Sequence, residues 1–181
     1  MMPEVKVVCE GRIVREGDAI LEAHSSSTLV VMGEKKMIVD TSSMQYRPKV
    51  IDGLQRMGLG PKDIDLITST HGHGDHTGND SLFTSARRVS LGKGQTSSVV
   101  APGVRLVRTP GHTPDSTSVF VEGKERCVIA GDAMPTEDNY RKWVPPGIHY
   151  DREEAMSSMK RIIEFADIVI PGHGGPFRID R

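Results

Sequence analysis

Short apolar runs, rich in β-branched residues, alternate along this chain with polar turns that contain glycine. This pattern predicts strands, which we place at residues 5–14, 28–32, 37–39, 64–68, 104–107, 117–121, 127–130 and 168–170. Gly33-Glu34 lies between two of these runs and predicts a hairpin. The chain is therefore expected to combine sheets with a few helices.

Two segments space their apolar residues at helical intervals instead. Residues 47–57 place an apolar stripe on one face, and Gly58 is expected to end that helix. Residues 151–165 form the clearest helix, with an apolar stripe and Asp151 as a candidate N-cap.

Several strands are followed by a glycine-containing turn and then by a histidine or an aspartate. Five of the seven histidines and two aspartates occupy such positions: His71, His73, Asp75, His76, His112, Asp132 and His173. Loops at strand ends are places where a rigid scaffold holds reactive side chains. Imidazole and carboxylate together suit zinc, iron or manganese, so the pattern predicts a metal centre.

The spacing inside the first motif favours two ions. Side chains two residues apart in an extended segment point the same way, so His71 and His73 can reach one ion together. Asp75 and His76 follow where the chain must turn, and they can serve a second ion.

Later loops can supply the remaining ligands. His112 can complete a three-histidine set, His173 can join the second set, and the two oxygens of Asp132 can bridge both ions. Two divalent ions about 3.5–4 Å apart activate water and stabilise charge on a substrate. We expect zinc most of all, with iron or manganese as alternatives, and we assign catalytic roles to Asp75, which can also orient the water, and to Asp132.

Neighbouring hydroxyl groups are candidates for orienting the imidazoles. Thr70, Thr113 and Ser116 lie near enough to the motifs in sequence to serve this purpose. The two other histidines, His24 and His149, are interpreted first as ordinary polar residues, with a substrate contact as the alternative.

Composition limits the class of protein. A length of 181 residues fits a single domain, residues 1–181. The net charge of −1 argues against a general nucleic-acid binder with a basic stripe. Cys9 and Cys127 are interpreted as two reduced thiols. No apolar run is long enough to span a bilayer, and the first residues lack an apolar signal segment, so we expect a cytoplasmic protein without membrane association.

The motifs resemble those of the metallo-β-lactamase superfamily. Residues 70–79 are similar to its signature loop, and the segments around His112, Asp132 and His173 resemble its later metal motifs in the same order. The resemblance covers nearly the whole chain. It implies an α/β fold, arranged as a four-layer αββα sandwich with the metal site at one edge of the two sheets. It also implies one ion on His71, His73 and His112, another on Asp75, His76 and His173, and a bridge through Asp132.

Differences from individual branches narrow the activity. Drug-hydrolysing β-lactamases typically have other ligands where this chain has Asp132, and flavodiiron proteins usually have glutamate in place of His73. Glyoxalase II enzymes carry a C-terminal helical domain for which this chain leaves no room. The compact form and residues 169–178 are most similar to the small metallo-β-lactamase domain-containing protein 1 group, whose members are associated with RNA phosphodiester cleavage.

The expected activity is therefore metal-dependent hydrolysis of a phosphodiester or of a small ester or thioester. Three alternatives stay open. One is a lactone or thioester hydrolase of glyoxalase II type, and another is an oxidation at a single iron, as in sulfur dioxygenases, with His71, His112 and Asp132 as ligands. The third is a binding module that keeps its metals for shape.

Residues 134–150 are the predicted substrate loop, because they follow the third motif directly and contain the only tryptophan. Trp143 is expected to stack on a base or an apolar group, Arg141 or Lys142 to meet an anion, and His149 to contact substrate. A surface loop with its tryptophan packed on the sheet is the structural alternative. The expected partners are a small-molecule or short phosphodiester substrate and a second copy of the chain in a homodimer.

Overall fold

A computed structural model describes residues 1–17 and 19–180 of the chain. Its strands are β1 (Glu4–Cys9), β2 (Arg12–Glu16), β3 (Ala19–His24), β4 (Ser27–Met32), β5 (Lys35–Val39), β6 (Leu66–Thr68), β7 (Arg87–Arg88), β8 (Ser97–Ala101), β9 (Val104–Arg108), β10 (Thr117–Glu122), β11 (Arg126–Gly131), β12 (Ile168–Pro171) and β13 (Phe177–Arg178). Its α-helices are α1 (Arg47–Arg56), α2 (Gly74–Thr77), α3 (Glu137–Lys142) and α4 (Arg152–Phe165).

The strands form two large mixed sheets and a separate hairpin. The first sheet has the order β1-β4-β5-β6-β7, and the second has the order β13-β12-β11-β10-β9-β8. The hairpin consists of β2 and β3, which pair only with each other. Strands β4 and β5 are antiparallel neighbours joined through Gly33, whose φ of +65° suits a tight turn, so the predicted hairpin is confirmed.

Three apolar layers hold four layers of structure together. Val30, Met37 and Val119 belong to a buried cluster that joins the two sheets. A second cluster packs α4 on the outer face of the second sheet, and a third packs α1 on the outer face of the first. The order is therefore helix, sheet, sheet, helix, as the predicted α/β sandwich requires.

Both long predicted helices are present. Helix α1 is followed by Gly58 with a φ of +72°, a left-handed conformation that ends helices. Helix α4 begins at the predicted N-cap, since the Asp151 carboxylate accepts the Glu154 backbone N–H at 2.8 Å.

Two sequence predictions were wrong about local structure. Residues 5–14 are not one strand: β1 ends at Cys9, and the chain passes close to another backbone at Gly11, where a β-carbon would lie 2.4 Å from the Ser26 nitrogen. Residues 134–150 are not a plain loop, because they contain α3. Thr136 is the N-cap of this helix, and the side chain of Asn139, the third helical residue, accepts the Thr136 backbone N–H at 3.0 Å.

Both cysteines are buried and neither forms a disulfide. Burial raises the pKa of Cys9 to about 11 and that of Cys127 to about 12. No helix in the described part of the chain is long and apolar enough to cross a membrane.

Candidate metal centre

Strand direction brings the polar loops to one edge of the sandwich. Strands β5 and β6 are parallel neighbours, and so are β11 and β12. Parallel neighbours end on the same side of a sheet, so the residues that follow β6, β11 and β12 can meet there. The structure brings all seven predicted ligands together in three overlapping groups: His71, His73 and His112; His71, His76 and Asp132; Asp75, His76 and His173.

The first group is made of three imidazoles. His73 Nδ1 lies 2.9 Å from His71 Nε2 and 3.1 Å from His112 Nε2. His71 and His112 are buried, whereas His73 is exposed at the mouth of the site. Three converging imidazole nitrogens with one exposed side suit a cation that keeps a position open for another ligand.

Asp75, His76 and His173, called the second group from here on, combine a carboxylate with two imidazoles. Asp75 Oδ2 lies 3.6 Å from His173 Nε2 and 3.8 Å from His76 Nε2. His76 is fully buried on the four-residue helix α2, where His73 is the N-cap. The short helix explains how residues so close in sequence face two different groups.

Asp132 lies between the two groups. Its Oδ1 is 3.3 Å from His76 Nε2 and 3.4 Å from His173 Nε2, while its Oδ2 is 3.6 Å from His112 Nε2. One carboxylate therefore faces both sets of imidazoles, which is the position that a bridging ligand requires.

Two atoms at the centre indicate that the residues fit cations. His76 Nε2 and Asp132 Oδ1 are buried and have no hydrogen-bond partner among the described residues. Buried polar atoms are nearly always satisfied, so an unsatisfied pair facing each other at 3.3 Å suits two ligands of a cation. The donor set of histidines and carboxylates is one that zinc, iron and manganese accept.

The electrostatics of the cluster also favour cations. Burial, followed by the charge of His76, lowers the pKa of His71 to about 2, which keeps its imidazole neutral and able to bind metal. Burial alone would raise the pKa of Asp132, but His76 and His173 hold it well below its usual value. Burial would lower the pKa of His76, yet Asp40 and Asp132 raise it well above its ordinary value. The buried carboxylates thus attract positive charge into this pocket.

Sequence reasoning missed Asp40, which supports the centre from behind. Its carboxylate lies 2.8 Å from His76 Nδ1 and accepts hydrogen bonds of 2.7 Å from both the backbone N–H and the hydroxyl of Thr70. Asp40 is buried and directly follows β5. The signal was present, because a polar residue at a strand end was the pattern that identified the other ligands.

Backbone carbonyls orient two more imidazoles. His112 Nδ1 lies 2.7 Å from the Ile148 carbonyl oxygen, and His173 Nδ1 lies 2.9 Å from the His24 carbonyl oxygen. The His24 side chain itself stacks on Tyr46, with ring centroids 4.0 Å apart. Such contacts fix which imidazole nitrogen faces the metal.

Of the three hydroxyl groups predicted to orient imidazoles, one contacts a histidine and two do not. Thr70 Oγ1 lies 3.2 Å from His71 Nδ1, so its predicted contact with an imidazole is present. The hydroxyls of Thr113 and Ser116 lie 2.8 Å from each other and close their own turn. They make no hydrogen bond with a histidine within residues 1–17 and 19–180.

The predicted substrate contacts have other partners in this structure. Arg141 pairs with Glu137 and Asp180, and Lys142 pairs with Asp138. His149 Nδ1 lies 2.6 Å from the Pro146 carbonyl oxygen, and the Trp143 side chain is 47% exposed. None of the four lines the cavity over the metal centre, so their contact with substrate stays a prediction.

That cavity has a volume of about 120 Å³ and is lined by residues from three places. The cluster contributes five ligands at its base, the segment after β11 contributes part of one wall, and the β2–β3 hairpin contributes the other. Its lining is Ile13, Arg15, Ile20, Ala23, His73, Asp75, His112, Asp132, Pro135, Gly147, Ile148 and His173. The hairpin was not expected at the site.

The sequence model of the metallo-beta-lactamase superfamily matches residues 21–101 and 92–173. The chain belongs to this superfamily. It is accordingly a metal-dependent hydrolase of the superfamily type, and the predicted family is confirmed.

Individual relatives agree with this assignment. The chain is 34% identical to metallo-beta-lactamase domain-containing protein 1 of Xenopus laevis over 97% of this chain and 81% of the relative. It is 30% identical to an N-acyl homoserine lactonase of Bacillus sp. over 72% of this chain and 64% of the lactonase. A solved structure from Thermotoga maritima superposes with a TM-score of 0.79 at 18% identity, covering 98% of this chain and 100% of that one. The predicted sandwich fold is thereby confirmed.

Proposed function

We propose that the protein hydrolyses a small substrate with an ester-type bond, using water activated by two divalent cations, of which zinc is the first candidate. The scissile bond joins an acyl or phosphoryl centre to its leaving atom, as in a small ester, a thioester, a lactone or a phosphodiester. The observation that carries the proposal is Asp132, whose two oxygens face separate groups of imidazoles.

The side chains of the cluster would have two roles, to bind the cations and to accept a proton from water. His71, His73 and His112 would hold one cation, Asp75, His76 and His173 the other, and Asp132 both. When bound, two divalent cations lower the pKa of a water molecule towards neutrality and offset the negative charge that develops on the substrate.

Asp75 is the residue best placed to handle the proton of the attacking water. It is the more exposed of the two carboxylates that line the cavity, with 24% of its side chain accessible, against 11% for Asp132. A carboxylate within reach of the attacking water can orient it and accept its proton. The apolar wall of Ile13, Ile20 and Ile148 would exclude competing water around the reacting bond.

The lactonase relative supports the ester branch of the proposal, since lactones are cyclic esters. Residues 169–178 resemble a group of proteins associated with RNA phosphodiester cleavage, and this resemblance supports the phosphodiester branch. A cavity of about 120 Å³ favours a small reacting group in either branch.

Metal analysis and activity measurements test the proposal together. We expect two divalent ions per chain in the purified wild type, and hydrolysis of at least one compound in a panel of p-nitrophenyl esters, thioesters, lactones and phosphodiesters. Asp132→Ala and His73→Ala should each lose metal and activity while circular dichroism shows an intact fold. His149→Ala, a histidine outside the cluster, should keep both ions.

Two outcomes would contradict the proposal. Full activity in Asp132→Ala would remove the bridging ligand from the mechanism. One iron per chain in protein from its native host, with no hydrolysis of the panel, would favour the oxidation chemistry of a mononuclear site.

A further inference from the structure

The β2–β3 hairpin turns one face towards the metal cavity. The four residues of the hairpin that line the cavity are two cross-strand pairs, Arg15 with Ile20 and Ile13 with Ala23. Cross-strand partners share a face of a sheet, so this face carries three apolar side chains and one guanidinium. Arg15 is the one lysine or arginine among the residues that line the cavity.

The hairpin is fixed to the metal centre at its base. The Gly11 backbone N–H donates to Ser26 Oγ at 2.9 Å, and the His24 carbonyl oxygen lies 2.9 Å from Nδ1 of the ligand His173. Ser26 in turn donates its backbone N–H to the Gly172 carbonyl oxygen and its hydroxyl to the Gly174 carbonyl oxygen, on either side of His173. Both ends of the β2–β3 ribbon are therefore connected to the segment that carries His173. This attachment holds the inward face of the hairpin in a defined place over the cations.

The guanidinium of Arg15 lies against Gly147 on the opposite wall. A β-carbon at Gly147 would be 3.7 Å from Arg15 Nη2 and 3.8 Å from Nη1. The next residue, Ile148, provides the carbonyl oxygen that orients the ligand His112. Arg15 thus lies beside the backbone segment that supports a metal ligand.

The Arg15 side chain has no carboxylate partner and makes no hydrogen bond within the described ranges, 1–17 and 19–180. Its neighbour on the same strand, Arg12, differs, because Arg12 Nε lies 3.7 Å from Glu22 Oε2. An arginine has five N–H donors and cannot lose its charge, so an arginine at the mouth of a cavity is available to an anionic ligand.

Exposed apolar side chains line the same cavity as this charge. Ile20, the cross-strand partner of Arg15, is 38% exposed, and Ile148, which follows Gly147, is 53% exposed. A substrate that covers these side chains would also remove water from around Arg15. A charge-assisted hydrogen bond is stronger in such surroundings than at an open surface.

We propose that Arg15 determines specificity by binding an anionic group, a carboxylate or a phosphate, that the substrate carries beside its scissile bond. The cations would bind the acyl or phosphoryl centre that reacts, and Arg15 would bind the flanking carboxylate or phosphate. This inference rests on the proposed function, because it places the scissile bond at the cluster.

Matched substrates that differ only in the flanking anion test this inference on the full metal-loaded chain. One pair is p-nitrophenyl butyrate with mono-p-nitrophenyl succinate, in which a carboxylate replaces the terminal methyl group. The other is thymidine 5′-(p-nitrophenyl phosphate) with the same compound carrying a 3′-phosphate. We expect Arg15→Gln to raise KM about tenfold or more for whichever flanking-anion compound is a substrate, the loss typical of one charge-assisted hydrogen bond. The partner compound without the flanking anion should change less than about twofold. The pair that responds shows whether the anion is a carboxylate or a phosphate.

Arg12→Gln is the matched control, since it removes the same charge from the same strand outside the cavity lining. It should leave the KM of both pairs unchanged. Arg15→Lys should recover part of the loss, because the charge returns without the planar fork. Equal losses for both members of each pair, or no loss in Arg15→Gln, would overturn the inference.

Binding gives a second readout that does not depend on turnover. Calorimetry of metal-loaded protein should show that wild type and Arg12→Gln prefer succinate to butyrate, and that Arg15→Gln loses this preference. If the wild type loads metal but hydrolyses none of the compounds, the proposed function fails. Even then, the comparison of succinate with butyrate tests whether Arg15 binds an anion. An unchanged preference for succinate in Arg15→Gln would refute that role.

Discussion

Replacing Asp40 by asparagine should weaken metal binding without touching a predicted ligand. In the wild type, one carboxylate oxygen accepts the Thr70 backbone N–H, while the other faces the Thr70 hydroxyl and His76 Nδ1. Asparagine keeps one oxygen, which the Thr70 N–H requires. Its NH₂ group then faces His76 Nδ1, which must give up its proton to accept a hydrogen bond.

The consequence for the metal follows from the tautomer. A neutral imidazole that accepts at Nδ1 carries its proton on Nε2. In His76, Nε2 is the atom that faces Asp75 and Asp132 across the centre. Asp40→Asn therefore removes a buried negative charge and also places a proton on the nitrogen that would bind the cation.

The expected magnitude is a tenfold to hundredfold loss of metal affinity at the second group, typical for loss of a partner that orients a ligand. This corresponds to about 1.4–2.7 kcal/mol, which agrees with the roughly 1.5–3 kcal/mol of one hydrogen bond to a charged group. Competition with a chromophoric chelator measures the affinity for each ion. Chemical denaturation of the metal-free protein measures the change in folding free energy separately.

Asp65→Asn is the matched control. Asp65 also accepts a backbone N–H, that of Lys36 at 2.8 Å, but at the opposite end of β6 and on the surface. This variant should bind both ions as the wild type does. If Asp40→Asn bound metal with unchanged affinity, the assigned role of Asp40 in fixing the tautomer would be refuted.

Four other predictions address the surroundings of the site and the core. Gly172→Ala should lose metal, because the new β-carbon would lie 1.9 Å from Asp132 Oδ1 and must displace that carboxylate. The melting temperature of the metal-free protein should change little. Full metal content in this variant would contradict the prediction. Gly53→Ala should lower the unfolding free energy in urea by about 1–3 kcal/mol, because its β-carbon would lie 2.0 Å from a carbonyl oxygen of β1, and unchanged stability would show that helix α1 shifts freely. Iodoacetamide at pH 8 should leave Cys9 and Cys127 unmodified in the native protein and modify both in urea, as mass spectrometry would show, because their raised pKa values keep the thiols protonated. Their contribution to stability should be present below the ordinary thiol pKa of 9.0 and be lost as the pH rises towards 11, and a native state that gains stability over that range would contradict the sign.

Local periodicity predicted the elements whose pattern is set by one buried face. Helix α4 and its Asp151 cap followed from such a pattern, and so did the β4–β5 hairpin. Strand β8 (Ser97–Ala101) was missed, because none of its residues is buried and it lies at the edge of its sheet, next to β9. Propensity within a strand depends on its neighbours in the sheet, which the sequence does not display.

The placement of the ligands could be predicted because it depends on chain order and strand ends. The second wall of the cavity could not. Residues 5–14 have the composition of one continuous strand, and nothing in that composition reveals that the chain leaves the sheet near Gly11 to form a ribbon that lines the cavity. The position of Arg15 depends on tertiary structure, because the ribbon is held by contacts with residues more than a hundred positions away, such as His173.

The centre also depends on how closely loops from the two sheets can approach. Gly131, the last residue of β11 in the second sheet, has a φ of +54°. A β-carbon there would lie 2.3 Å from Oγ1 of Thr70, which lies in the loop after β6 of the first sheet. Thr70 is also the residue that Asp40 holds through two hydrogen bonds behind His76. A side chain at Gly131 would push the next residue, Asp132, away from the imidazoles of the other sheet. The glycine is therefore what allows the Asp132 carboxylate to reach imidazoles that loops of two separate sheets deliver. The proposed metal ligands thus depend on the residue that sets the distance between these loops.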